Sequence, residues 1–186
     1  VTSFLSPGSA SKAYGFTAEA GEHIYLDALG SNSSGGWQAI GPNNQPITSA
    51  NVINDMELDI PTSGTYLVLF SGNGSSPVGF SFRVIPTLRE TVPLALGATI
   101  SSTISQLGER DIYTFLGGAG QRLWLDSLDA TNLNHTIRVV NPSGTQMYFG
   151  LHTADAAIAL PATGQYTVEV DGSGAGTGPY RFRLLN

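Results

Sequence analysis

The chain has 186 residues, no cysteine and a net charge of -6, with 41% hydrophobic residues but only 12% charged ones. The charged fraction is about half that of ordinary soluble domains, which excludes a coiled coil and a charge-rich disordered tail. The 8 basic residues are scattered among 14 acidic ones, and no apolar run approaches the ~20 residues of a membrane-spanning helix, so neither nucleic acid binding nor membrane insertion is expected.

The sequence contains an internal duplication. Residues of the first half recur in the second half at an offset of 99 and, further along the chain, of 100. Recurring pairs include Tyr14/Tyr113, Phe16/Phe115, Asp27/Asp126, Pro42/Pro142, Asp55/Asp155, Gly64/Gly164, Tyr66/Tyr166 and Arg83/Arg183. Two domains are therefore predicted, residues 1–85 and 86–186, with the boundary in the proline-bracketed stretch 85–93.

Taken in chain order, the first repeat starts at Val1, which aligns with Ile100 of the second repeat. The second repeat has an additional apolar segment, residues 92–97, ahead of this point. The first repeat is therefore predicted to lack its first strand and to expose an open strand edge. A start at Val1 without an initiator methionine further indicates a processed chain or a piece of a longer one.

Within each repeat, apolar and polar residues alternate with the period of two that β-strands require, as in residues 112–115, 166–171 and 180–184. Glycine and proline mark the turns between these runs, for example at 141–144 and 161–164. No stretch of ten residues keeps a helical period. The fold class predicted is all-β, with two tandem jelly-roll-like β-sandwich domains of seven to nine short strands each.

One strand differs between the repeats in a way that indicates an interface. Positions that are Thr167 and Glu169 in the second repeat are Leu67 and Leu69 in the first. Alternation places these leucines on the face away from the core, so we predict that protein covers this face. The alternative, given equal weight, is a strand covered by loops of its own repeat, such as residues 28–54.

Several segments of the second repeat carry a family resemblance, namely residues 94–97, 108–115, 119–123, 140–144 and 160–168. They resemble the bacterial pre-peptidase C-terminal domain family, which includes the collagen-binding domains of clostridial collagenases. The resemblance covers both repeats and implies secreted accessory modules without catalysis. It also implies a candidate calcium site at Glu90, Glu109 and Asp111, near the linker and the strand after it. The alternative is that these acids solvate a strand end, and no obligatory metal or other cofactor is expected.

Catalysis is not expected, because His23, His135 and His152 lie in different contexts and no Gly-x-Ser-x-Gly nucleophile turn is present. The repeated aspartates and Tyr66/Tyr166 are interpreted as structural groups that satisfy backbone atoms at turns.

Two functional hypotheses remain. The first is a structural or assembly module of a bacterial extracellular or cell-surface protein, with protein partners that include identical chains, for example in a filament. The second is an accessory module that binds polysaccharide or collagen for a secreted hydrolase. For the second, the candidate exposed aromatics are Tyr25, Trp37 and Trp124.

Overall fold

The computed structural model describes residues 1–30, 34–87, 89–129, 135–172 and 174–186. These residues form strands, turns and bends without a helix, so none of them provides a helix that could cross a membrane. The contacts between Cα atoms cluster into two compact units, Val1–Thr87 (unit 1) and Leu88–Asn186 (unit 2). The prediction of an all-β fold is confirmed.

Unit 1 contains eight described strands in two antiparallel sheets. The strands are β1 (Thr2–Leu5), β2 (Ser11–Ala18), β3 (His23–Ala28), β4 (Gly35–Ile40), β5 (Pro46–Asn51), β6 (Met56–Asp59), β7 (Gly64–Gly72) and β8 (Val78–Thr87). One sheet has the order β1-β8-β3-β6 and the other has the order β5-β4-β7-β2. Apart from the β4–β5 hairpin, which lies within one sheet, successive strands thus alternate between two four-stranded sheets in the manner of a jelly roll.

Unit 2 repeats this arrangement and adds one strand. Its described strands are β9 (Arg89–Pro93), β10 (Thr99–Ile104), β11 (Arg110–Gly117), β12 (Arg122–Ser127), β13 (His135–Val140), β14 (Gln146–Leu151), β15 (Ala156–Ala159), β16 (Gly164–Gly172) and β17 (Gly178–Leu185). The sheets are β10-β17-β12-β15 and β14-β13-β16-β11-β9. Strand β9 pairs with β11 in parallel, and the described part of unit 1 has no counterpart of β9.

The last strand of unit 1 extends into the stretch 85–93, in which the sequence predicts the domain boundary. Strand β8 continues to Thr87, which pairs with His23 of β3. Pro86 lies inside this strand rather than in a linker. Its missing N–H is tolerated there because β1 pairs only with Val78–Ser81, so at Pro86 the described sheet has a neighbouring strand on one side only.

The alternation seen in the sequence sets which side chains fill each sandwich. In β7 the side chains of Tyr66, Val68 and Phe70 are buried between the sheets, and in β16 those of Tyr166, Val168 and Val170 are buried in the same way. Each unit has one core of this kind, built from both of its sheets. The other face of each strand is therefore left to interact with solvent or with partners.

Turn residues fix how each strand enters its sheet. A Cβ atom on Gly64 would lie 2.8 Å from Cγ of Pro42, and one on Gly164 would lie 2.7 Å from Cγ of Pro142. Only glycine allows this close approach to the proline ring, which explains why the Pro/Gly pair occurs in both units. Two residues later, the hydroxyl of Tyr66 donates to the carbonyl of Thr62 at 2.7 Å.

Candidate functional site

The clearest candidate site is the outer face of the β5-β4-β7-β2 sheet in unit 1. Leu67 and Leu69 of β7 lie on this face and are half-buried. Leu67 pairs with Gly15 of β2 and Ile40 of β4, and Leu69 pairs with Ala13 and Gln38. The centre of the face therefore carries small and apolar side chains with one amide. Coverage of this face by protein stays a prediction.

The equivalent face of unit 2 is charged. The Nε of Arg138 donates to Oε2 of Glu169 at 3.0 Å, and Arg110 forms an ion pair with Asp171 at 3.2 Å. Each of these four positions is uncharged in unit 1: they are Gln38, Leu69, Ser11 and Ser71. The centres of the two outer faces thus differ in charge, although Leu116 and Phe149 are exposed apolar side chains on the same face of unit 2.

The edge of the same unit 1 sheet is a second candidate site. Strand β2 ends this sheet among the described residues, whereas its equivalent β11 is covered by β9. Tyr113 and Phe115 of β11 are only 5% and 4% exposed, while the equivalent Tyr14 and Phe16 of β2 are half-buried. Among the described residues, the backbone N–H and C=O groups on this side of β2 have no neighbouring strand.

The three predicted calcium ligands do not form one metal-binding group: Glu90 and Asp111 lie in register on β9 and β11, whereas the carboxylate of Glu109 has other partners. The Oε2 atom of Glu109 accepts hydrogen bonds from the Ser105 N–H (2.7 Å), the Ser105 hydroxyl (2.6 Å) and the Gln106 N–H (2.9 Å). Glu109 therefore closes a turn. Among the described residues, no group of three or more His, Asp or Glu side chains lies close enough to hold a metal ion. The acids at 90, 109 and 111 do not fit a calcium site, which needs six to eight oxygen ligands.

Asp111 instead belongs to a hydrogen-bonded network in unit 2. The hydroxyl of Tyr180 donates to Oδ2 of Asp111 and lies 2.6 Å from the hydroxyl of Tyr113, and Ser102 donates to the same carboxylate at 3.3 Å. Burial raises the pKa of Asp111, and the charges of Glu109 and Glu90 act in the same direction, against the hydrogen bond from Tyr180. Asp111 and Glu90 line a cleft of about 310 Å³ between β9, β10 and β11.

Two histidines that lie in different sequence contexts are neighbours in unit 2. The rings of His135 and His152 lie 5.2 Å apart and both side chains are fully buried. Burial lowers the pKa of both, and for His135 the charge of His152 acts in the same direction, whereas the carboxylate of Asp129 opposes the shift in each. The register of the β13–β14 hairpin pairs Thr136 with Leu151, and this register would have predicted the neighbouring histidine pair.

The expected strip of exposed aromatics is wrong for two of its three members. Trp37 is part of the unit 1 core, where its Nε1 donates to the carbonyl of Asn54 at 2.9 Å. Tyr25 points away from that core, as alternation required, but it is buried and its hydroxyl donates to Asp55 at 2.5 Å. Trp124 is exposed, at 44% of its surface. The comparison with Ile137, the buried equivalent of Trp37, would have given the correct orientation.

Two of the four repeated carboxylates have the role predicted for them, and the other two pair with arginine side chains rather than with backbone N–H groups. The Oδ1 atom of Asp55 accepts the Ala28 N–H at 2.7 Å, and that of Asp155 accepts the Ser127 N–H at 2.8 Å. Asp27 is paired with Arg83, and Asp126 is paired with Arg183. These interactions brace equivalent strands and loops in the two units, so they do not mark a ligand site.

Comparison with known proteins gives structural neighbours only. No family model and no curated protein matches the chain. A periplasmic inhibitor of g-type lysozyme, PliG from Aeromonas hydrophila, is 18% identical with a TM-score of 0.46, covering 53% of this chain and 97% of its own. The pre-peptidase C-terminal domain of a Bacillus anthracis collagenase is 20% identical with a TM-score of 0.43, covering 52% of this chain and 96% of its own. The CUB1-EGF-CUB2 region of human MASP-1/3 is 9% identical over 98% of this chain and 99% of its own, with a TM-score of 0.32.

Proposed function

We propose that this chain is a non-catalytic pair of β-sandwich modules from a secreted or cell-surface bacterial protein, and that its role is to make protein–protein contacts. The observation that carries the proposal is the outer face of unit 1. All four positions that are charged on the equivalent face of unit 2 are uncharged here, and Leu67 and Leu69 lie at the centre of the face.

The energetics favour a partner for this face. Complete burial of a leucine side chain stabilises by about 1.5 to 3 kcal/mol, and part of this remains to be gained by two half-buried leucines. Apolar contact on one face and backbone pairing along the neighbouring β2 edge would act together. Identical chains are suitable partners, and contacts between different surfaces of identical chains build open filaments.

A role without catalysis is supported by the placement of the histidines. His23, His135 and His152 are at most 1% exposed, so none of these side chains faces solvent where a substrate could approach. The polysaccharide- or collagen-binding alternative loses support because Tyr25 and Trp37 are buried, which leaves Trp124 as the exposed member of the proposed set.

The test of this proposal replaces the apolar face by that of unit 2. We expect the wild-type chain to self-associate reversibly as its concentration rises, and Leu67→Thr with Leu69→Glu to remain monomeric in multi-angle light scattering. A matched control, Leu116→Thr with Phe149→Glu, changes side chains of unit 2 that are 79% and 60% exposed, and we expect it to associate like the wild type. Circular dichroism establishes that each variant is folded. The same molar mass for wild type and the Leu67/Leu69 variant would contradict the proposal.

A further inference from the structure

The outer face of the β10-β17-β12-β15 sheet in unit 2 carries an exposed tryptophan among arginines. Trp124 lies on β12, where 44% of its surface is exposed, and Leu185 of β17 is its neighbour in register. Arg122 lies two residues before Trp124 and therefore on the same face, and it is also exposed. On β17, Arg181 is exposed and the side chain of Arg183 is 39% exposed. We call the surface formed by these five side chains the Trp124 face.

Two of the three arginines of the Trp124 face have unused hydrogen-bonding groups. The Nε of Arg183 donates to Oδ2 of Asp126 at 2.6 Å. The side chains of Arg122 and Arg181 have no hydrogen bond or ion pair within the part of the chain that the structure describes, and neither does Nε1 of Trp124. Two guanidinium groups and one indole N–H are therefore available to a ligand from solvent.

The corresponding face of unit 1 is closed by acidic residues of β6. Tyr25, which takes the position of Trp124, is only 1% exposed, and Glu57 lies beside it in register. Asp59 is the next residue of β6 on this face, and its Oδ1 lies 2.9 Å from Nδ1 of His23. The aromatic ring in unit 1 is therefore covered, and its surroundings are negatively charged.

Unit 2 lacks both of these acids. Ala157 and Ala159 of β15 take their positions, in register with Trp124 and Arg122, and both alanines are exposed. Arg181 takes the place of a serine of unit 1. The strands of this sheet carry one arginine and three carboxylates in unit 1 but three arginines and one carboxylate in unit 2, so their net charge changes from -2 to +2. In a chain with a net charge of -6, the Trp124 face is thus a surface suited to an anionic ligand.

The geometry of the Trp124 face favours a sugar polymer over a peptide. The backbone N–H and C=O groups of β12 point to its neighbours β15 and β17, so the face offers side chains only. A peptide laid on it would form none of the backbone bonds by which extended peptides are recognised. Thr99 and Ser101 of β10, in register with Arg183 and Arg181, add exposed hydroxyl groups. Hydroxyl groups, guanidinium groups and a flat indole ring match the hydroxyls, carboxylates and apolar ring faces of acidic sugars.

From these observations we infer that the Trp124 face of unit 2 binds an acidic polysaccharide, in which Trp124 stacks on a sugar ring and Arg122 and Arg181 pair with uronate carboxylates on either side. The Leu128 N–H donates to the Arg181 carbonyl at 3.1 Å, which places Arg181 six positions along the sheet from Arg122, a span of about 20 Å. The site thus accommodates several sugar residues in a row. The inference goes beyond the proposed function, because it concerns unit 2 and does not require the contacts of unit 1.

The probes for this site are fluorescently labelled oligomers of galacturonic, glucuronic and mannuronic acid. We expect saturable binding of at least one of them to the full-length chain in fluorescence anisotropy. The affinity should fall as the sodium chloride concentration is raised, because salt screens exposed charges. The methyl ester of the oligomer that binds is the matched neutral probe, and it should bind at least about tenfold more weakly because its carboxylates can no longer pair with arginine.

Substitutions at exposed positions of unit 2 test the two kinds of contact. Trp124→Ala should weaken binding at least about tenfold, because the stacked ring is lost. Ala157→Glu with Ala159→Asp copies the acids of unit 1 and should weaken binding to a similar extent, because the new carboxylates repel those of the sugar. Arg181→Ser should weaken binding about threefold, as expected for the loss of an exposed ion pair. Its control, Lys12→Ser, removes the same charge from an exposed position of unit 1 and should bind like the wild type.

The outcomes separate this inference from the proposed function. Absence of binding by all three oligomers, or binding that either Trp124→Ala or the Ala157/Ala159 variant leaves unchanged, would overturn the inference. A polyglutamate peptide that binds as tightly as the sugar oligomers would show that the face recognises charge alone, and this too would overturn the assignment to a polysaccharide. Leu67→Thr with Leu69→Glu should bind the oligomers like the wild type, since these leucines belong to unit 1. If that variant associates like the wild type, the proposed function fails while the result on sugar binding stands.

Discussion

The two units have the same strand order but fill it with different chemistry. The core of unit 1 is an aromatic cluster in which Phe70 stacks on Phe80 with ring centroids 4.1 Å apart and Trp37 lies 5.3 Å from Phe70. In unit 2 the positions of Phe70 and Phe80 are Val170 and Tyr180, and Tyr180 is bonded to Asp111. The outer faces differ at their centres, where unit 1 has the uncharged residues Leu69 and Gln38 and unit 2 has the ion pair of Glu169 and Arg138.

The strand arrangement of the units and the chemistry of their cores and faces are determined by different residues. The strand arrangement depends on contacts that both units share, such as the Pro42/Gly64 contact, the Tyr66 hydrogen bond and the Asp55 bond to the Ala28 N–H. The residues between these points vary with little effect on strand order. Differences between the units are therefore the best guide to what each unit does.

The difference between the two cores is expected to have the largest effect on stability. Phe70→Ala should lower the free energy of unfolding of unit 1 by about 3 to 5 kcal/mol, because it removes a buried ring and leaves a cavity. Val170→Ala, its match in unit 2, removes two methylene equivalents and should cost about 2 kcal/mol. Hydrogen exchange of peptides from each unit, measured over a urea series, reports the two stabilities separately. Equal losses would show that the aromatic cluster is not the main source of stability in unit 1.

The sequence predicted the strands and turns better than it predicted the candidate calcium ligands and exposed aromatic residues. Strands and turns follow from alternation and from glycine and proline, which act locally, so the sandwich could be predicted from residues such as Gly64 and Tyr66. The position of Glu109 could not, because its partners Ser105 and Gln106 are fixed only when the turn closes. Tyr25 was placed on the correct face, but its burial depends on Asp55, thirty positions away in the sequence.

A smaller effect is expected from the buried histidines of unit 2. Because burial lowers their pKa in the folded state, the unfolded chain binds more protons once the pH falls below about 6.5. Above this pH the two histidines do not lower the free energy of unfolding of unit 2. Below it, each histidine lowers this free energy by at most about 1.4 kcal/mol per pH unit.

The variant His152→Val tests this effect by copying Val52, the equivalent of His152 in unit 1, which is also buried. Neither ring nitrogen of His152 has a hydrogen-bond partner among the described residues, so the substitution removes no such bond. We expect a shallower loss of unit 2 stability between pH 7 and pH 5 in exchange measurements, and no change in the pH dependence of unit 1. An unaltered slope for unit 2 would show that folding does not lower the pKa of His152.

The smallest change in stability is expected when the residues of the unit 1 outer face are introduced at the equivalent positions of unit 2. Thr167→Leu, Arg138→Gln and Glu169→Leu together copy Leu67, Gln38 and Leu69. Arg138 and Glu169 are 38% and 13% exposed, and ion pairs near the surface contribute about 0 to 1 kcal/mol, so the stability of unit 2 should change by no more than this.

The association of this variant should nevertheless change, because its face now carries two leucines and no ion pair at the centre. In the Leu67→Thr/Leu69→Glu background, where unit 1 has lost its own apolar face, the transplant should restore concentration-dependent association in light scattering. Restoration would mean that the face acts through its apolar side chains and does not require the surroundings of unit 1. If the transplanted chain stays monomeric while unit 2 remains folded, the two leucines are insufficient, and the shape of the unit 1 sheet beside Ala13 and Gly15 must contribute to the contact.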